Sequence, residues 1–227
     1  MKVLELKNVT KVYGNKVKTK VLKETSLEIN EGEFVSIIGQ SGSGKSTLLN
    51  IMGTLSKATE GEVIINNINI KNMKKNELAK LRNKELGFIF QFHYLLPEFT
   101  VLENILMPYS ISGEKVTKEI LDRANEFIEL VGLSKVKNNI ATDLSGGQMQ
   151  RAAIARALIN NPKIILADEP TGNLDSKTTD DIYNLLREIN KKFNTTFVII
   201  THDNRIAEKA DRVIEVLDGN IISDISA

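Results

Sequence analysis

The chain has no cysteine, and its charges nearly cancel: 30 Lys and Arg stand against 29 Asp and Glu, a net charge of +1. Without cysteine there is no disulfide framework, no thiolate zinc cluster and no thiol nucleophile. Without a net basic field, nothing global argues for nucleic acid. No apolar run approaches the ~20 residues that a membrane-spanning helix needs. The start, Met1-Lys2-Val3-Leu4-Glu5, has no apolar core of a signal peptide. These absences predict a cytoplasmic protein, unless a partner holds it at a membrane. What is present is ordinary for a globular chain: 41% hydrophobic and 26% charged residues over 227 positions, one large domain or one domain with an insert. Stretches such as Lys71-Asn72-Met73-Lys74-Lys75-Asn76 read as solvated surface.

Against that plain background one stretch is chemically specific: Gly39-Gln40-Ser41-Gly42-Ser43-Gly44-Lys45-Ser46-Thr47. It fits G-x-x-x-x-G-K-[ST] in full. The apolar run Phe34–Ile38 before it reads as a buried strand, and Leu48–Met52 after it as a helix. Gly39, Gly42 and Gly44 let the backbone curl so that successive N–H groups converge on a phosphate chain. The helix beginning near Lys45 adds its positive end. Lys45 supplies a point charge for the outer phosphates, and the Ser46 hydroxyl is a Mg²⁺ ligand candidate. A Gly/Ser linker does not sit between a β-branched run and a Lys-Ser-Thr helix. The residues therefore predict a nucleoside triphosphate bound with Mg²⁺.

The rest of the chain supplies possible partners for that loop. Val3–Val9 and Val21–Ile29 read as half-buried strands, with Tyr13 between them either a base-stacking aromatic or a plain strand-end side chain. Gly61–Ile65 is a strand, closed by an Asn66-Asn67 turn, and a helix is predicted over Asn76–Lys84. Gly87–Phe90 is a buried strand ending at Gln91, either a Mg²⁺ or water ligand or a surface glutamine. Thr100 and Glu103 form a capping pattern for a helix that ends near Pro108. Thr117 starts another helix, with Ile120, Ala124, Phe127, Ile128 and Val131 at helical spacing and Gly132 closing it. Leu144-Ser145-Gly146-Gly147-Gln148 opens a helix over Met149–Ile159 and makes a second helix end with exposed N–H groups. The stretch 92–160 thus reads as a nearly all-helical subdomain inserted in an α/β core.

The strand Lys163–Ala167 delivers Asp168 and Glu169 at its C-terminal end, where ligands bind in open α/β sheets. Asp168 fits the Mg²⁺-side carboxylate and Glu169 a base that orients water. A helix follows over Ser176–Lys191. The buried strand Thr196–Thr201 then ends at His202, on the side where phosphate should lie, and a hairpin over 212–223 closes the chain. Strands alternating with helices imply a mostly parallel core sheet, with antiparallel strands from the first thirty or so residues and from the 62–70 region.

Taken together, these residues resemble the nucleotide-binding subunit of ATP-binding cassette (ABC) transporters, over essentially the whole chain. The most specific mark is Leu144–Gln148, which looks like the family signature. Tyr13 then stands as the adenine-stacking aromatic, Gln91 as the Q-loop, Asp168-Glu169 as the Walker B pair, Leu174-Asp175 as the D-loop and His202 as the switch histidine. The resemblance implies a P-loop cassette over residues 1–227: a RecA-like core with an antiparallel β part at 1–91 and 161–227, and a helical subdomain at 92–160. It implies catalytic roles for Glu169, His202 and Gln91, and Mg²⁺ contacts from Ser46, Gln91 and Asp168. It implies ATP contacts from Tyr13, Gly39, Ser41, Gly42, Ser43, Gly44, Lys45, Ser46 and Thr47. Ser145, Gly146, Gly147, Gln148 and Asp175 complete the set across a head-to-tail dimer that closes on two ATP molecules.

The run Gln91-Phe92-His93-Tyr94-Leu95-Leu96-Pro97-Glu98-Phe99-Thr100 and the motif Ala167–Asp175 look like the LolD/MacB branch, most like its lipoprotein-releasing ATPases. That implies integral membrane permeases of LolC/LolE or MacB type as partners, at the cytoplasmic face of the inner membrane, and no nucleic acid. Asn67, where glycine is usual, and Met149, where a polar residue is common, depart from the pattern. A regulatory cassette of the FtsE kind, or a soluble cassette outside transport, are the alternatives.

Overall fold

A computed structural model describes residues 1–14 and 17–226. Two sheets meet around the phosphate loop. The larger has six strands, in the order β10-β9-β3-β8-β7-β6. Its members are β3 (Phe34–Ile38), β6 (Leu86–Phe90), β7 (Ile164–Asp168), β8 (Thr196–Ile200), β9 (Arg212–Leu217) and β10 (Asn220–Ser226). All neighbours are parallel except β10, which pairs antiparallel with β9. The central strands are covered on both faces, which is why Phe-Val-Ser-Ile-Ile and Thr-Phe-Val-Ile-Ile show no polar alternation.

Side chains of one strand alternate between the two layers. Val35, Ile37, Val198 and Ile200 face helix α1 (Lys45–Met52) and the second sheet, whereas Phe34, Phe197 and Ile199 face the helices of the opposite layer. Each such fully buried side chain contributes roughly 1.5–3 kcal/mol. The second sheet is antiparallel and has four strands, β2-β1-β4-β5, built from β1 (Lys2–Tyr13), β2 (Thr19–Asn30), β4 (Glu60–Ile65) and β5 (Ile68–Asn69). The opposite layer contains α3 (Val101–Ser110), α4 (Lys118–Leu130), α5 (Gly146–Leu158) and α6 (Ser176–Phe193); α2 (Lys75–Glu85) leads into β6.

The expected elements are present, with shifted ends. β1 runs on to Tyr13, and α5 begins at Gly146 because Ser145 already caps it. A short helix α7 (Asn204–Ala207), absent from the sequence reading, follows β8. The stretch 92–160 is less helical than its composition suggests. Residues 92–99 are an irregular loop, and 131–145 hold only two short 3₁₀ turns, at Ser134–Val136 and Ala141–Asp143. Buried Asn104 organises that loop: its side chain accepts from Leu96 N and donates to the carbonyls of Leu96, Phe99 and Thr100. A periodicity argument sees the apolar stripes but not a buried amide that satisfies loop backbone.

The two departures from the family pattern are both accommodated. Asn67 has φ 63° in a turn that asparagine tolerates. Met149 packs, half-buried, against the helical core.

Candidate active site

The C-terminal ends of β3, β7 and β8 converge, as expected for ligand binding in a parallel sheet. Gly39 follows β3, Glu169 follows β7, and Thr201-His202 follow β8. They enclose a cavity of about 430 Å³ lined by Gly39, Ser41, Gly42, Gly44, Lys45, Ser46, Thr47, Glu169, His202 and Val21. The loop is held from behind by the β9–β10 turn, where Gly219 N donates to Ser43 O (2.9 Å) and Lys23 N to Gly219 O (2.9 Å). Gly39, at φ 147°, lies so close to this hairpin that a Cβ would stand 2.1 Å from Val216 O. Gly42, at φ 78°, faces open space instead. Glycine is thus needed at position 39 for both contact and angle, and at 42 for angle alone.

The cavity is built for an anion. Helix α1 starts at Gly44 (φ 108°) with no side-chain cap and no acidic residue in its first turn. Its leading amides therefore keep their capacity for an external acceptor. Lys45 is only 8% exposed, and its Nζ rests on two carbonyls of its own loop, Gly39 O (2.7 Å) and Gln40 O (2.8 Å). A nearly buried ammonium with only neutral acceptors is a charge awaiting its counter-ion.

Beside it, Ser46 Oγ lies 3.5 Å from Asp168 Oδ1. Burial, and then the neighbouring Glu169 charge, push the Asp168 carboxyl above the usual range; Ser46 and Lys45 act in the opposite sense. A hydroxyl and an under-compensated carboxylate fit a hard oxygen-seeking cation. Among the described residues no group of three or more His, Cys, Asp or Glu could hold a metal alone. Mg²⁺ binds through one or two carboxylates and completes its sphere with phosphate oxygens and water. Glu169 takes a left-handed backbone (φ 47°), a conformation that costs roughly 1–3 kcal/mol. Its N–H donates to Ile200 O (3.0 Å), and its Oε2 lies 3.2 Å from His202 Nδ1.

Several expected site residues do not line this cavity. Tyr13 ends β1, 45% exposed, with Lys11 Nζ 4.8 Å from its ring centroid. Ser145 and Gln148 close a capping box, Gln148 N donating to Ser145 Oγ (3.3 Å) and Ser145 N to Gln148 Oε1 (2.9 Å). Gly146 and Gly147 fit this end of α5 against the start of α6: added Cβ atoms would stand 3.6 Å from Leu174 and 2.9 Å from Thr178. Asp175 caps α6, accepting from Thr178 N (3.0 Å) and Thr178 Oγ1 (2.6 Å), and those bonds hold its carboxyl below the ordinary range. Gln91, at the end of β6, is half-buried and donates through Nε2 to Asn173 Oδ1 (3.1 Å).

Three contributors escaped the sequence reading. Val21 closes one wall of the cavity. Gln150, fully buried, donates to Pro170 O (2.6 Å) and so ties α5 to the turn after β7. Arg156 donates to the carbonyls of both His93 and Tyr94, two successive left-handed residues (φ 60° and 48°) just beyond Gln91.

The family model described as "ABC transporter" matches residues 22–172, more than half of the chain. The lipoprotein-releasing system ATP-binding protein LolD of Bacteroides fragilis (strain YCH46) is 48% identical over 220 residues, covering 97% of this chain and 100% of that protein. LolD of Francisella tularensis subsp. tularensis (strain FSC 198) is 47% identical, covering 96% and 95%. Among solved structures, a dimeric ATP-binding cassette in a post-hydrolysis state, bound to ADP and Pi, superposes with a TM-score of 0.89 at 45% identity, covering 98% of each chain. The chain belongs to the ABC transporter family, as an ATP-binding cassette subunit similar to LolD over nearly its whole length.

Proposed function

We propose that this cassette hydrolyses ATP to drive closure and opening of a head-to-tail dimer, and that a membrane permease of the LolC/LolE kind reads that motion to release lipoproteins. The observation that carries the dimer is the placement of the two anion-attracting helix ends. The α1 end is open and lines the cavity; the α5 end lies outside it, against Leu174 and Thr178. A second copy would bring its Ser145–Gln148 end to the γ-phosphate held by the first, which gives both ends one ligand.

Within that site the roles follow from chemistry. The α1 amides and Lys45 hold the β- and γ-phosphates. Ser46, Asp168 and Gln91 would hold Mg²⁺, which would neutralise charge developing on the phosphate oxygens. Tyr13 offers a face for the adenine. Glu169 orients a water and accepts its proton as that oxygen bonds to the γ-phosphorus. The bond from phosphorus to the bridging oxygen breaks, and ADP leaves with inorganic phosphate. His202, on the same wall and 3.2 Å from Glu169, donates to a γ-phosphate oxygen.

Among the described residues no helix is long and apolar enough to cross a membrane. The reading makes the permease a separate chain, with the cassette peripheral at the inner face. Segment 92–160 acts as the unit that moves against the rest. An apolar groove of about 380 Å³ between them, lined by Leu55, Leu86, Phe88, Phe90, Pro108 and Ile111, is the seat for the permease. Exposed Phe92 and Tyr94 flank it, immediately after Gln91.

Tagged Glu169→Gln protein captured from native membranes with ATP and Mg²⁺ tests the reading. Recovery of an integral membrane protein together with lipoproteins is expected. Recovery of ribosomes or DNA in their place would contradict it.

A further inference from the structure

The turn after β7 carries a glycine and an asparagine that the proposed chemistry leaves without a role, and both touch Gln91. Asn173 Nδ2 donates to the Gln91 backbone carbonyl (3.4 Å), while Asn173 Oδ1 accepts from Gln91 Nε2 (3.1 Å). The pairing fixes which way both amides face. A backbone carbonyl only accepts, so Asn173 must present its NH₂ there and its oxygen to Gln91. Gln91 must in turn present its NH₂ to Asn173. That leaves Gln91 Oε1, the one atom of this side chain able to ligate a hard cation, without a hydrogen-bond partner among the described residues.

Gly172 makes the room. A Cβ there would stand 2.8 Å from Gln91 Nε2, 3.2 Å from Gln91 Cδ and 3.2 Å from Glu169 Oε2. The amide of Gln91 and the carboxylate of Glu169 thus both crowd the space that a larger residue would fill. The turn is itself fastened, with Gly172 N donating to Glu169 O (3.1 Å) and Leu174 N to Thr171 O (3.1 Å).

We infer that Asn173, seated by Gly172, is a positioning residue for Gln91: it holds the glutamine by its NH₂ so that the carbonyl oxygen is turned outward for the cation before nucleotide arrives. Restricting a free glutamine in advance removes ordering entropy from the binding step. It also couples the strand ends of β6 and β7, because one turn then carries Glu169 and orients Gln91. The inference rests on the assignment of the site to ATP and Mg²⁺.

Equilibrium binding of a fluorescent, non-hydrolysable ATP analogue, with Mg²⁺ and with chelator, gives a ratio that reports the Mg²⁺-dependent gain in affinity. Both values come from the same sample, so the ratio is insensitive to any loss of folded protein. Asn173→Ala should reduce the gain about 10-fold, in the range of residues that orient a metal ligand. Gln91→Ala should reduce it similarly, and the double variant should be no worse than Gln91→Ala alone, since Asn173 acts only through Gln91. Gly172→Ala should reproduce the loss with Asn173 intact. A full Mg²⁺ gain in Asn173→Ala would overturn the inference, as would losses that multiply in the double variant. If the unsubstituted protein shows no Mg²⁺-dependent gain, the assignment of the site itself falls, and the inference with it.

Discussion

Two helices of this molecule begin at glycine-rich turns, and they begin in opposite ways. At α1 the cap is Gly44, no side chain satisfies the leading amides, and a nearly buried lysine waits beside them. At α5 the cap is Ser145, and a reciprocal Ser145–Gln148 box satisfies the amides of those two residues. The α3 start is closed by a similar Thr100–Glu103 box, and Thr117 and Asp175 cap α4 and α6. A glycine cap in place of Ser, Thr, Asn or Asp forgoes only about a few tenths of a kcal/mol of helix stability. It is tolerable at α1 because tertiary packing of Leu48, Leu49, Ile51 and Met52 holds the helix. On the proposed reading, a helix end meant for a ligand within the same chain is left open, whereas one meant for a ligand held by another chain carries a side-chain cap until that ligand comes.

The widest separation between the two ends should come from Lys45→Ala. It removes the charge on which the α1 site depends, and a charge-assisted contact of this kind is worth about 1.5–3 kcal/mol. ATP affinity of the monomer, measured by fluorescence titration, should fall by about 10- to 100-fold. Ser145→Ala should act differently. Loss of the cap should lower unfolding stability by about 1 kcal/mol in a denaturant titration, while ATP affinity of the monomer stays within about twofold. The proposed dimer predicts that turnover falls as well. A Ser145→Ala protein that binds ATP as poorly as Lys45→Ala would erase the distinction between the two ends.

The legible parts of this molecule were those in which local chemistry and fold agree. The phosphate loop needs glycine, lysine and serine at fixed offsets within a strand–turn–helix, so Gly39 to Thr47 identify themselves. Parallel buried strands need apolar runs, so β3, β7 and β8 were readable, and with them Asp168, Glu169 and His202 at their ends. The loop 92–99 was not readable. Its conformation comes from Asn104 and Arg156, side chains distant in sequence that hydrogen-bond to its backbone. Asn173 was hidden for the same reason: its partner lies 82 positions away, and no periodicity links them. Tyr13 and Asp175 were legible only through the family pattern, since within one chain the first is an exposed strand end and the second a helix cap.

Sedimentation velocity of Glu169→Gln, with and without ATP and Mg²⁺, beside the double variant Glu169→Gln/Ser145→Arg, tests the difference between the two helix ends most directly. The account predicts that Glu169→Gln becomes a dimer when ATP and Mg²⁺ are present. The double variant should remain a monomer that still binds one ATP per chain, because only the α5 end has been blocked. A double variant that dimerises as readily as Glu169→Gln, or one that has lost ATP binding as a monomer, would contradict it.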